Sequence, residues 1–157
     1  MGRLASTSIA IAAMISMSLG ISAAAKAHIE DPKAFVSDVY RHIATSEESQ
    51  RPYSPPENIY SPRLKQLFAS YRKRTGGQVS CLDFDFWVNA QDSKIENMSI
   101  ATPTQAADRS VIVAKFTNGV PQQIEFTFKR IDGFWWLDEV RSLKRPQWIL
   151  SELLRCR

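Results

Sequence analysis

The stretch that decides the fold is "CLDFDFWVNAQD", Cys81 to Asp92. Upstream of it the apolar residues recur at helical spacing; from here on they alternate. Leu82, Phe84, Phe86, Val88 and Ala90 fall on one side of an extended chain, with Asp83, Asp85, Trp87, Asn89 and Gln91 on the other. A period of two is that of a half-buried strand. The pattern predicts a first strand over 82–91 and sets Trp87 among polar residues, where an exposed ring would favour a recognition surface.

Working outward, Asp31-Pro32 has the form of a helix N-cap followed by its first helical position. Phe35, Val36, Val39, Tyr40 and Ile43 then follow at helical spacing. Ser61-Pro62 repeats the start signal, and Leu64, Leu67, Phe68 and Tyr71 form a second apolar stripe. Arg72, Lys73 and Arg74 complement the carboxyl end of that helix, and Gly76-Gly77 end it. Between the two helices, residues 45–58 contain three prolines, which lack the donor N–H and restrict the residue before them. Downstream, strands are expected over 95–102, 109–117, 122–131 and 134–140. Asn118-Gly119 and Asp132-Gly133 supply the hairpin turns. Pro146 opens a short final helix whose apolar residues are Trp148, Ile149, Leu150, Leu153 and Leu154. The sum is an α+β domain: N-terminal helices packed on a curved antiparallel sheet, with a short C-terminal helix, in a cone-like arrangement.

The first 27 residues fit a secretory signal peptide. A basic start at Arg3 precedes the apolar run "IAIAAMISMSLGI", and Ala25-Lys26-Ala27 suits cleavage. The run is interrupted by serines and a glycine, which argues against a membrane-spanning helix of about 20 apolar residues. The mature chain, 28–157, is then one domain. The leader carries Arg3 and Lys26 and no acid, so its removal lowers the formal charge from +4 to +2, too little to argue for nucleic acid. Cys81 and Cys156 are an even pair in an exported chain, which favours a disulfide over free buried thiols.

The sequence offers little catalytic chemistry. Ser70-Tyr71-Arg72-Lys73 matches an S-x-x-K motif, but Tyr71 belongs to the apolar stripe and the partner motifs of such enzymes need separate elements. His28 stands at the mature terminus, leaving His42 as the one histidine able to act as base or ligand. No set of residues has the three or four convergent ligands of a zinc site, so neither metal nor cofactor is expected. Asp83 and Asp85 on one strand face would stand about 7 Å apart, close enough for an acid–base pair or, with Asp92, a hard-cation site. The plainer alternative places them in solvent, with Asn89 or Gln91 bonding backbone at the strand exit.

"YSPRLKQLF" (60–68), "LDFDFWVNAQD" (82–92), "DGFWWLDEV" (132–140) and the terminal "LSELL" occur in the order that resembles the bacterial exported domain-of-unknown-function 3828 family. The chain departs from it where Phe86-Trp87 follows "DFD", since members often carry a proline in that segment; this bears on whether the run is a regular strand. More distantly, the helix order and the glycine–tryptophan final hairpin are similar to the nuclear-transport-factor-two-like superfamily. That superfamily's cone hosts dehydratases, isomerases and purely structural partners. The resemblance implies export and a fold, and brings no activity.

The expected function is therefore that of a periplasmic or secreted, non-enzymatic binding domain. Its partner would be a protein or small molecule of the cell envelope, without nucleic acid or a stable membrane anchor. The candidate binding residues are Asp83, Asp85, Trp87, Asn89, Gln91 and Asp92. The alternatives are a cone-fold dehydratase or isomerase using Tyr40, His42 or Asp85, and an immunity or inhibitor protein.

Overall fold

The structure, a computed structural model, describes residues 29–45, 57–78, 80–92 and 94–156. The expected leader, His28 and most of the proline-containing linker lie outside the described residues. Both helix starts form as the sequence predicts. In α1 (Pro32–Thr45) the Asp31 carboxylate accepts from the N–H groups of Lys33 at 2.8 Å and Ala34 at 3.3 Å. These are two of the donors that a helix leaves without an internal partner. In α2 (Pro62–Thr75) the Ser61 hydroxyl accepts from Leu64 N–H at 3.1 Å, and Gly76 closes the helix in the left-handed conformation. The buried face of α1 is Val36, Val39, Tyr40 and Ile43; that of α2 is Leu64 and Tyr71, with Leu67 and Phe68 half-buried.

Four long strands follow as a meander: β1 (Glu96–Gln105), β2 (Arg109–Asn118), β3 (Val120–Ile131) and β4 (Phe134–Ser142). A two-residue β5 (Trp148–Ile149) completes an open antiparallel sheet of order β1-β2-β3-β4-β5. The β3–β4 turn has Asp132 at φ 52° and Gly133 at φ 83°, the double left-handed geometry that suits the twist of a tight hairpin. The core lies on one face of the sheet, where Ile112, Ala114, Phe116, Ile124, Phe126, Phe128, Leu137 and Val140 pack with the α1 residues.

Two expectations are corrected. The 82–91 run is not a strand but a compact turn, described below. The final segment is not a helix from Pro146: Trp148 and Ile149 pair with Ser142 and Arg141 as β5, and only α3 (Leu150–Leu153) is helical. An apolar run too short to show a period fits either state, and here the unfilled edge of β4 claims its first two residues.

That edge is completed in three pieces. Ile29 bridges Trp135, Tyr60 bridges Leu137, and β5 takes Arg141 and Ser142. Each buried main-chain donor and acceptor needs a partner, and one neighbouring strand can serve only one edge.

The sulfurs of Cys81 and Cys156 are bonded, with Cα atoms 6.4 Å apart across a separation of 75 residues. This ties the turn before β1 to the end of the chain. The paired variant Cys81→Ser/Cys156→Ser should lose about 2–5 kcal/mol of stability, read from the urea midpoint of oxidised parent and variant. Two titratable thiols in denatured, unreduced protein would overturn the bridge.

Candidate functional site

The 81–92 run is built around Asp85. Its carboxylate accepts from Trp87 N–H at 2.8 Å, and its carbonyl accepts from Val88 N–H at 3.2 Å and Asn89 N–H at 2.8 Å. Its own N–H donates to the Ala90 carbonyl at 3.0 Å, closing an antiparallel bridge. An aspartate side chain that bonds the backbone two residues on offers the chain a turn instead of a strand. Asn89 takes φ 55°, a left-handed conformation that asparagine tolerates better than most residues. With the chain folded over itself, alternation no longer decides which residues face the core. Phe86, Trp87 and Val88 are all buried in succession.

Trp87 is therefore not on a polar face. It is fully buried, stacked on Phe126 with ring centroids 5.0 Å apart. Its carbonyl accepts from the Tyr40 hydroxyl at 2.6 Å. Burial first, and then the charge of Asp85, hold the Tyr40 phenol well above its ordinary pKa. Asn89 is an internal bridge: its oxygen accepts from the Trp148 indole N–H at 2.6 Å, and its amide donates to the Gln122 oxygen at 3.0 Å. Asn89 thus bonds side chains, and the backbone contact expected of Asn89 or Gln91 is made by Gln91. Gln91 is exposed, with one long contact to the Asp83 carbonyl at 3.4 Å. Asp83 and Asp92 are exposed as well.

The acid–base reading needs these groups to converge in a closed apolar pocket, and they do not. Asp83 and His42 face solvent, while Asp85 and Tyr40 hold the turn. Among the described residues no three His, Cys, Asp or Glu side chains form a metal-holding group. Asn118, read from the sequence only as a turn residue, is a further clamp. Its amide donates to the carbonyls of Val88 at 3.4 Å and Asp92 at 3.0 Å, and its oxygen accepts from Lys94 N–H at 2.9 Å.

Two concave surfaces flank this framework. The first is a cleft of about 410 Å³ between α1 and the edge strand β1. Tyr40, Ala44, Ile95, Met98 and Ile100 supply its apolar wall; Ser37, Arg41, Asn97 and Ser99 supply polar groups. The β1 backbone is irregular there: Glu96 pairs with Thr117 but Ser99 with Lys115, so one residue bulges, and Asn97 sits at φ 53°. Bulges of this kind re-aim side chains and recur beside binding sites.

The second is an open groove of about 510 Å³ on the sheet face away from the core. Thr127 pairs with Glu139 and Phe128 with Leu137, which leaves Asp138 as an extra residue. The bulge turns two consecutive acids to the same face, between core residues Leu137 and Val140. Asp138 is buried there, with its carboxylate accepting from Ser61 Oγ at 2.7 Å and Arg63 Nε at 3.2 Å, and ion-paired to Lys129 Nζ at 3.0 Å. Arg63 also donates to the Asp138 carbonyl and to Glu139 at 3.3 Å. Sequence reasoning missed this network. The available signal was "LDEV": two acids in a row between two core residues cannot both obey a period of two.

No protein-family model matches the chain, and no curated protein does. Among solved structures the chain is similar to a phospholipid-binding protein from Ralstonia solanacearum, solved in complex with a phospholipid. The identity is 16% and the TM-score 0.32, over 80% of this chain and 64% of that one. This chain thus spans less than two thirds of that protein's length, and a likeness so remote carries neither fold nor ligand across.

Two outcomes follow for stability. Burial acts to raise the Asp138 carboxyl, but hydrogen bonds from Ser61, Lys129 and Arg63, with the Arg63 charge, outweigh it and hold the group below the ordinary carboxylate range. A lowered folded pKa gives stability that is full above the free-aspartate value of about 3.9 and is lost as pH falls through the folded value. Asp138→Asn should lower stability at neutral pH and flatten the acid limb of the stability–pH curve; an unchanged limb would sink this account. Asn89→Ala strands the Trp148 indole and the Gln122 oxygen and should cost about 1–3 kcal/mol, whereas exposed Gln91→Ala should stay within about 0.5 kcal/mol. Equal midpoints for the two variants in urea would reverse that ranking.

Proposed function

We propose that this is an exported, non-enzymatic binding domain that holds a small amphipathic molecule in the cleft between α1 and β1. The observation that carries the reading is the make-up of that cleft: an apolar wall of Tyr40, Ala44, Ile95, Met98 and Ile100 beside Arg41 and a few neutral polar groups. Its volume of about 410 Å³ lies within the usual range for small-molecule sites. An apolar body suits the wall, and an acidic head suits Arg41. Arg41 is paired with Asp38 at 2.5 Å, both side chains being largely exposed; such a pair is worth little and yields readily to a better-placed anion.

Two further observations support the proposal. The titratable groups of the cleft are Tyr40 and Arg41. The first is kept protonated by burial and by Asp85, which makes it a poor proton acceptor near neutral pH. The disulfide fits an oxidising compartment, in line with the leader pattern at the N-terminus. Among the described residues no helix is long and apolar enough to cross a membrane.

A partner protein is the second reading. What favours it is that Asp83, Gln91 and Asp92 stand exposed near one turn; Asp85, Trp87 and Asn89 would then serve recognition only by holding that turn.

The test is saturable binding of an anionic amphiphile such as anilinonaphthalene sulfonate, competed by dodecanoate. Ala44 is exposed on the α1 side of the cleft, so Ala44→Trp fills the space without disturbing the core. It should weaken binding at least about tenfold, or about 1.4 kcal/mol, at an unchanged denaturation midpoint. Equal binding by the parent and Ala44→Trp would refute the cleft.

A further inference from the structure

The outer sheet face carries a different surface at the other end of the strands. The cleft lies where β1 pairs with residues 114–117 of β2; this surface lies beside the β3–β4 turn. Strand register aligns Arg109, Lys129 and Trp136 in one row and, two residues on along the same face, Ile131 with Phe134. Trp136 is half-buried, with its indole N–H donating to the Ile131 carbonyl at 3.2 Å. Phe134 is 42% exposed, an unusual state for a large apolar side chain in this domain. The Lys65 ammonium lies 4.8 Å from the centre of the Trp136 ring. Arg109 and Lys129 are exposed beside it, whereas Arg130 lies on the opposite side of the hairpin, its guanidinium 5.9 Å from the centre of the Trp135 ring.

The charge balance at this end is positive. Lys65, Arg109 and Lys129 on this face, with Arg130 behind the hairpin, outnumber the turn acids Asp108 and Asp132; Asp138 binds one oxygen to Lys129 while Ser61 and Arg63 hold the other, and Arg63 also pairs Glu139. The adjoining helix α2 contains no acid; besides Lys65 and Arg63 it carries Arg72, Lys73 and Arg74 in its last turn.

We propose that this patch docks the protein reversibly on an anionic phospholipid bilayer. Aromatic rings favour the headgroup level of a membrane, and Phe134 and Trp136 stand at a hairpin end that can reach it. Lys65 and Arg109 then meet the phosphates, with Lys129, held to Asp138, beside them, while two rings are too small an anchor for permanent insertion. A nucleic acid is the poorer match, because the centre of the patch is apolar and the cations ring it instead of tracking a strand. The docking surface is independent of the cleft and stands or falls separately from it.

Co-sedimentation with vesicles distinguishes these outcomes. The protein should pellet with phosphatidylcholine vesicles containing phosphatidylglycerol, much less with phosphatidylcholine alone, and be released by high salt. Lys65→Gln and Arg109→Gln should each weaken partitioning roughly fivefold, the effect of one cation near such a surface. Phe134→Ser should weaken it as well, and all three variants should keep the parent's urea midpoint. Should Phe134→Ser prove unstable, the two charge variants decide. No pelleting with either vesicle, variants that partition like the parent, or tighter binding to duplex DNA than to the charged vesicles would each overturn the proposal. Ala44→Trp should leave the partitioning unchanged.

Discussion

The fold depends on how β4 satisfies its second edge. One side of this strand is paired along its length with β3. The other is met in turn by Ile29, Tyr60 and the two residues of β5. These segments come from three distant parts of the chain, and each delivers something larger to the sheet. Ile29 leads directly into α1; Tyr60 is followed by Ser61, which both starts α2 and hydrogen-bonds Asp138. The third segment, β5, runs into α3 and the disulfide. Leaving a buried edge unpaired would cost about 1–3 kcal/mol for each group, so backbone pairing at β4 fixes where every helix begins.

Much of this was legible in the sequence, and the unread parts share a cause. The N-caps at Asp31 and Ser61 announce themselves because local hydrogen bonding decides a helix start. The long strands show because a sheet with one buried face imposes a period of two. The same period misleads over 82–91. There the apolar and polar residues do alternate, but Asp85 folds the chain back, and Trp87 enters the core from a position that alternation assigns to solvent. Asp138 fails for the complementary reason, since its bulge breaks the alternation inside a real strand. In both places an aspartate overrides the pattern: Asp85 through backbone bonds within residues 85–90, and Asp138 through Ser61 and Arg63, which lie far away in sequence.

The candidate site was harder to foresee than the fold. The polar run at 83–92 drew attention because its residues can do chemistry, yet most of them hold the turn together. The cleft is made from residues of ordinary kinds, such as Ile95, Met98 and Ala44, and its existence depends on the space left between α1 and an irregular edge strand. No local pattern encodes that space. It follows from where α1 ends and where β1 bulges, which are tertiary facts.

The position of the disulfide has a mechanical consequence. The covalent ring closed by Cys81 and Cys156 contains β1 through β5, while α1 and α2 lie outside it. Tension applied at the chain ends passes across the sulfur–sulfur bond and not through the strands. The sheet is thus shielded from pulling, and the helices become the extensible part. A protease that cuts any single loop between the strands leaves both fragments attached. Damage to this domain therefore begins on its helical side, where the chain is held to the sheet by non-covalent contacts such as the Arg63 pairs with Asp138 and Glu139.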